Sequence, residues 1–151
     1  MNKAAPMTSD ELINDSRSAF PSLKKPWFGR DVIECSDTIY DLSLPHQVYL
    51  NCLDAAWAVI VSMGVEYHET YPDCDDYSDM LKGLAKLEWW KSIQAGLIKA
   101  GSQMVIALIN GYNPRGENHA YLYFRSDMGR FIRDYGETLP ITGYRPMRMK
   151  F

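Results

Sequence analysis

Cys74, His119 and Asp134 are the three side chains whose types and chain order suit nucleophilic chemistry. The thiol stands in "YPDCDDYSDMLKGL", residues 71–84, with four aspartates around it and an apolar period beginning just after it. A helix N-terminus stabilises a thiolate, and an adjacent imidazolium does so more strongly. Neighbouring carboxylates act in the opposite sense, raising a thiol from its reference pKa of about 8.5. Contact between His119 and the sulfur decides the balance, because a contact charge outweighs partly solvated carboxylates at longer range.

The histidine and aspartate lie on two strands joined by "SDMG". A turn centred between Asp127 and Met128 sets His119 opposite Gly136, so Asp134 points to the same face as His119. Diagonal neighbours of this kind sit roughly 7 to 8 Å apart, close enough for an imidazole–carboxylate hydrogen bond. A slip of one residue would place them on opposite faces. In register, Asp134 fixes the tautomer and orientation of His119, as the third member of a triad does.

The elements that must hold these groups read as follows. "SLPHQVYLNCLDAAWAVIVSMG" is a helix, with Ser43 able to cap, Pro45 near the first turn and Gly64 as the stop. Val48, Cys52, Ala55, Ala56, Val59 and Ile60 give it a wide apolar face, with Trp57 beside them. A second helix starts at Asp73, whose carboxylate can accept from first-turn amides, with Asp75 and Asp76 near the positive end of the dipole. Residues 91–100 read as helix. "QMVIALIN", "HAYLYFR" and "RFIRDYG" read as strands, and "GYNPRGEN" as a loop.

Helices first and strands afterwards give an α+β fold, with the cysteine-bearing helix packed on an antiparallel sheet. Residues 1–40 read as an N-terminal arm or irregular cap, anchored by Trp27 and Phe28, and residues 41–151 as the working domain. The basic tail "YRPMRMKF" reads as a solvated end.

The totals exclude several classes. At 151 residues the chain can bury one core. A net charge of −3 and a pI near 5.6 give no electrostatic footprint for nucleic acid. Cys35, Cys52 and Cys74 are odd in number and lack paired spacing, so they form no disulfide framework. No run reaches membrane-spanning length and the N-terminus lacks a signal-peptide apolar region, so the expectation is a cytoplasmic chain with free thiols. His46, His68, Asp73 and Cys74 lack the short paired spacing of structural zinc.

"DCDDYS" followed by a helix, then "NHAYLYF" and "RFIRDYG", resembles the transglutaminase-like cysteine peptidase superfamily, in particular its bacterial and phage-type members. The likeness covers about residues 65–136. It implies a papain/transglutaminase-like fold with Cys74 as nucleophile, His119 as base and acid, and Asp134 as the orienting group. It also implies a peptidase or amidase working through a thioester on a peptide or protein amide, or a transamidase where an amine replaces water. Candidate oxyanion donors beside the Cys74 amide are Gln47, Tyr67 and Tyr71. No cofactor is required, although some relatives bind calcium through acids corresponding to Asp73 and Asp75; oxygen ligands suit that ion. The rival reading keeps the fold without catalysis: a binding module that works through an aromatic groove, of the kind a phage encodes.

Overall fold

The computed structural model describes residues 6–24, 33–35, 39–64, 66–68 and 73–151. Three helices and eight strands make up its regular structure, in the order β1 (Met7–Thr8), α1 (Ser9–Ala19), a 3-10 turn (Pro21–Lys24), β2 (Ile33–Glu34), β3 (Ile39–Tyr40), α2 (His46–Ser62), α3 (Cys74–Gln94), β4 (Ile106–Tyr112), β5 (Asn118–Ser126), β6 (Gly129–Asp134), β7 (Glu137–Pro140) and β8 (Arg145–Lys150). Six strands form one sheet in the order β2-β8-β4-β5-β6-β7, and β1 pairs with β3 separately.

Alternation along the central strands gives the sheet two apolar faces. Val105, Ala107, Ile109, Tyr121, Tyr123, Ile132 and Met149 face the α1 side and pack with Leu12, Phe20 and Leu23. Ile106, Leu122 and Phe124 face the other side, where α2 and α3 bring Tyr49, Leu53, Ala56, Leu81, Ala85 and Trp89. The Tyr49 hydroxyl is not wasted in this core: it accepts from the Val105 amide at 2.8 Å.

Each helix start has a local cause. Thr8 and Glu11 form a capping box on α1, and Asp73 and Asp76 form one on α3. α2 has no side-chain cap of its own; instead the His46 amide donates to Asp127 Oδ1 at 2.9 Å, across from the β5–β6 turn. Ser43, expected as that cap, bonds to Asp41.

Three expectations are corrected. The sheet is mixed rather than antiparallel, because β2 runs parallel to β8. Residues 9–19 are a helix within the core, not an irregular cap; a polar sequence hides its one buried leucine, Leu12. The basic tail is β8, an inner strand between β2 and β4, with Met149 and Phe151 buried and the charges of Arg145, Arg148 and Lys150 turned outward. The expected anchors Trp27 and Phe28 lie outside the described residues.

Candidate functional site

The β5–β6 hairpin sets half of the site. Ser126 pairs with Gly129 and Leu122 with Arg133, a register that carries His119 toward Asp134 at the open end. His119 Nε2 lies 2.9 Å from Asp134 Oδ1, with both side chains about one-fifth exposed. A donating Nε2–H leaves Nδ1 as the nitrogen able to meet another group.

Immediately after Asp134 the chain turns on Tyr135, whose φ of 51° lies in the left-handed region, a conformation costing a non-glycine residue about 1 to 2 kcal/mol. Its surroundings hold it there. The Tyr135 carbonyl accepts from Arg133 Nε at 2.7 Å, and the buried Arg133 pairs with Asp54 of α2 at 2.7 Å. The Tyr135 ring stacks on Trp57 (5.7 Å, 14°) and stands edge-on to His119 (5.7 Å, 88°) and Tyr77 (5.7 Å, 66°). Burial, helped by the nearby Cys74 and Asp134, pushes its phenol up. Gly136 makes the stack possible, since a Cβ there would fall 2.7 Å from Trp57 Nε1.

Cys74, a partly buried free thiol, opens α3 on the other side of Tyr135. Asp76 N donates to Asp73 Oδ1 and Asp73 N to Asp76 Oδ2, which fixes where the helix begins. One turn on, Ser78 Oγ donates to the carbonyl of Ala120, the residue after His119, and so ties this end of α3 to β5. The three predicted residues therefore share one end of the molecule. The imidazole bonds Asp134; among the described residues no hydrogen bond joins it to the thiol.

The remaining candidates divide. Tyr67 reaches the site and stacks near Tyr77. Tyr71 lies outside the described residues. Gln47 bonds Asn51 at the start of α2, beside the β5–β6 turn. That is the opposite end of β5 from His119, roughly 20 Å away at the rise of a strand. His46 bonds Ser126 and packs on Phe124 and Phe131, a structural role. Cys52 is core, and burial raises its thiol pKa. Trp89 is buried with its Nε1 donating to Ser102, whereas Trp90 is exposed.

Asp73 and Asp75 share a hydrogen bond that lowers the first carboxyl and raises the second. Among the described residues no group of three or more His, Cys, Asp or Glu side chains is arranged for a metal.

The reading of the sequence offered an aromatic groove but not the residues that build it. Trp57, Ile60, Val61, Tyr67, Tyr77 and Tyr135 line an open trough of about 380 Å³. Its signal was present but dispersed, in Trp57 on a helix face and in the tyrosines flanking Cys74 and Asp134.

No protein-family model matches the sequence, and no curated protein does. Solved structures match the fold. A structure titled as a PSL1a-E64 complex superposes with a TM-score of 0.67 at 18% identity, over 99% of this chain and 51% of that one. A structure titled as Polyporus squamosus lectin bound to an epitope, Neu5Aca2-6Galb1-4GlcNAc, gives 0.67 at 16%, over 99% and 50%. This chain thus spans about half the length of those it matches.

The transglutaminase-like assignment is corrected by these matches, and the papain-like fold class with it: the fold is shared with the PSL1a complex and with the Polyporus squamosus lectin. The hydrolase, thiol peptidase, amidase and transamidase readings, and the peptide or protein amide as partner, are corrected on the same finding. Among the described residues no helix is long and apolar enough to cross a membrane.

Proposed function

We propose that this chain is a non-catalytic binding module and that its aromatic trough holds a saccharide. The observation that carries this reading is the trough: three tyrosines and a tryptophan line one open cleft. Cofactor-free ligand sites combine such walls with a few placed polar groups. A pyranose ring has a matching character, with C–H groups on its flat faces and hydroxyls at its edge. Trp57 and Tyr135 supply the faces, and the His119–Asp134 pair beside Tyr135 supplies the polar partner. Likeness of fold to the Polyporus squamosus lectin bound to its epitope supports the saccharide class.

Titration of the chain with the trisaccharide Neu5Aca2-6Galb1-4GlcNAc and with neutral oligosaccharides, followed by tryptophan fluorescence and calorimetry, tests this. Saturable binding is expected, weakened about tenfold or more in Trp57→Ala, as loss of an aromatic anchor does. His119→Ala should weaken it less. Failure of every saccharide to bind, or an unchanged Trp57→Ala variant, rejects the reading. Covalent capture of E64 at Cys74, seen as a mass increase abolished in Cys74→Ala, rejects the non-catalytic part of it.

A further inference from the structure

A larger hollow, about 930 Å³, opens on the α1 side of the sheet, away from the trough. Its walls come from Phe20 at the end of α1, from Ser22 of the 3-10 turn, from Tyr112 of β4, from the β7–β8 connection (Tyr144) and from Arg145 and Met147 of β8. The walls are tied together. Ser22 Oγ donates to the Pro146 carbonyl at 2.6 Å, and Tyr144 N donates to Ile141 O at 3.2 Å. Gly143, at a φ of +83°, lies against Pro114 so closely that a Cβ would sit 3.1 Å from the ring. A hollow built this way exists before its ligand arrives.

Its charge is specific. Arg115, Arg125, Arg130, Arg133 and Arg148 each pair with a carboxylate. Arg145 has no such partner among the described residues; its guanidinium lies 4.6 Å from the centre of the Tyr112 ring, which orients the fork without neutralising it. At the other wall, Tyr144 stands edge-on to Tyr121 at 4.8 Å. Burial raises the Tyr144 phenol first; Asp134 and Glu137 add to the effect and Arg115 offsets part of it. The charged end of a ligand therefore belongs at Arg145 and its ring at Tyr144.

We infer that this hollow is a second ligand site, for a small carboxylate carried on a ring. The carboxylate pairs with Arg145, and the neutral ring lies along Met147 and Tyr144. The chain as a whole is acidic, at −3, so attraction of an anion here is local to Arg145 rather than a long-range effect. Because this site does not use Trp57, it stands or falls apart from the saccharide reading.

Two ring carboxylates, phenylacetate and a glucuronate-terminated disaccharide, and the uncharged phenylacetamide serve as probes of the full chain, with backbone-amide NMR shifts as the readout. Saturable shifts at Tyr112, Tyr144 and Arg145 are expected with at least one carboxylate, and whichever binds identifies an aromatic or a sugar acid as the source. Phenylacetamide should bind about tenfold or more weakly than the matched acid, and Arg145→Gln should lose a similar factor, as loss of a charge-assisted pair does. Arg145→Lys should retain part of the affinity, and Trp57→Ala all of it. Equal binding of acid and amide, shifts that map to Trp57 instead, or no saturable shift with either acid overturns the inference; the amide comparison uses the native chain and does not depend on a variant folding.

Discussion

On one face of the sheet, α2 and α3 lie side by side over Leu122 and Phe124 and close that face almost entirely with apolar and aromatic groups. On the other, the 11-residue α1 covers Tyr121, Tyr123 and Ile132 with one fully buried leucine, and Asp15 reaches across to Arg125 and Arg130. The first face is covered by two long helices, the second by one short helix with Phe20, Leu23, Tyr40 and Leu42 from the segments after it, plus a carboxylate shared between two guanidiniums. Each face also carries one of the clefts at its rim: the aromatic trough beside α2, and the Arg145 hollow beside the turn that follows α1. Both faces hold buried or half-buried charge: Asp15 with Arg125 and Arg130 on the α1 face, Arg133 with Asp54 and the lone Lys82 on the other.

The sharpest way to break this contrast is Leu81→Ala on α3. Leu81 is 1% exposed among Leu53, Ala85 and Trp89, where the neighbours have little room to collapse. A loss of about 3 kcal/mol in urea unfolding is expected, the middle of the range for buried leucine truncations. The loss should be global, with the aromatic trough destroyed only when the whole chain unfolds.

Asp15→Ala on the opposite face should cost less, about 2 kcal/mol. Removing one partner of a buried ion pair leaves charge uncompensated, but Arg125 and Arg130 retain 21% and 33% exposure, and water softens the penalty. Its signature should also differ. Hydrogen exchange ought to speed up in α1 well before α2 and α3, because a short helix with one buried leucine opens locally. If Asp15→Ala lowers protection equally on both faces, the two faces form a single cooperative unit and the comparison fails.

The sequence made these faces legible to different degrees for physical reasons. α2 and α3 announce themselves through long apolar periods, and the β5–β6 hairpin through alternation around "SDMG", which is why the approach of His119 to Asp134 could be read from register alone. α1 carried only a local sign, the Thr8–Glu11 capping box, and too few apolar residues to suggest a place in the core. β8 reads as a charged tail because its outward positions are arginine and lysine; Met149 and Phe151 give it away only once a neighbouring strand is known. The motif around Cys74 misled in the other direction. An aspartate before the helix and another three residues on are what a capping box needs, so "DCDD" follows from the start of α3 without any family behind it. The trough stayed hidden because it is assembled from α2, the start of α3 and the turn after β6, and no single stretch of sequence contains it.

Lys82 sharpens the contrast from within the apolar face. It is 9% exposed, and its Nζ donates to the carbonyl of Lys150 at 2.8 Å. The charges facing it are Lys86 and Asp79 on its own helix and Lys150 on β8. Burial above all, with Lys86 next, brings its pKa down to about 8. An unfolded lysine titrates at about 10.4, so between about pH 8 and 10 the unfolded chain binds more protons than the folded one, and folding strengthens as pH rises. The gain should be on the order of 1 to 2 kcal/mol across that window. Cys52 acts against it, since burial raises its thiol and the unfolded chain gives up that proton first; above about pH 10 the buried tyrosines do the same. Lys82→Met removes the charge while keeping the stem, so the difference between the native and variant urea midpoints isolates the lysine. That difference should grow with pH above 8, in favour of the native chain. A difference that stays flat would mean that Lys82 keeps its proton with ordinary ease, through water reaching the end of α3, and that this face is less dry than its side chains indicate.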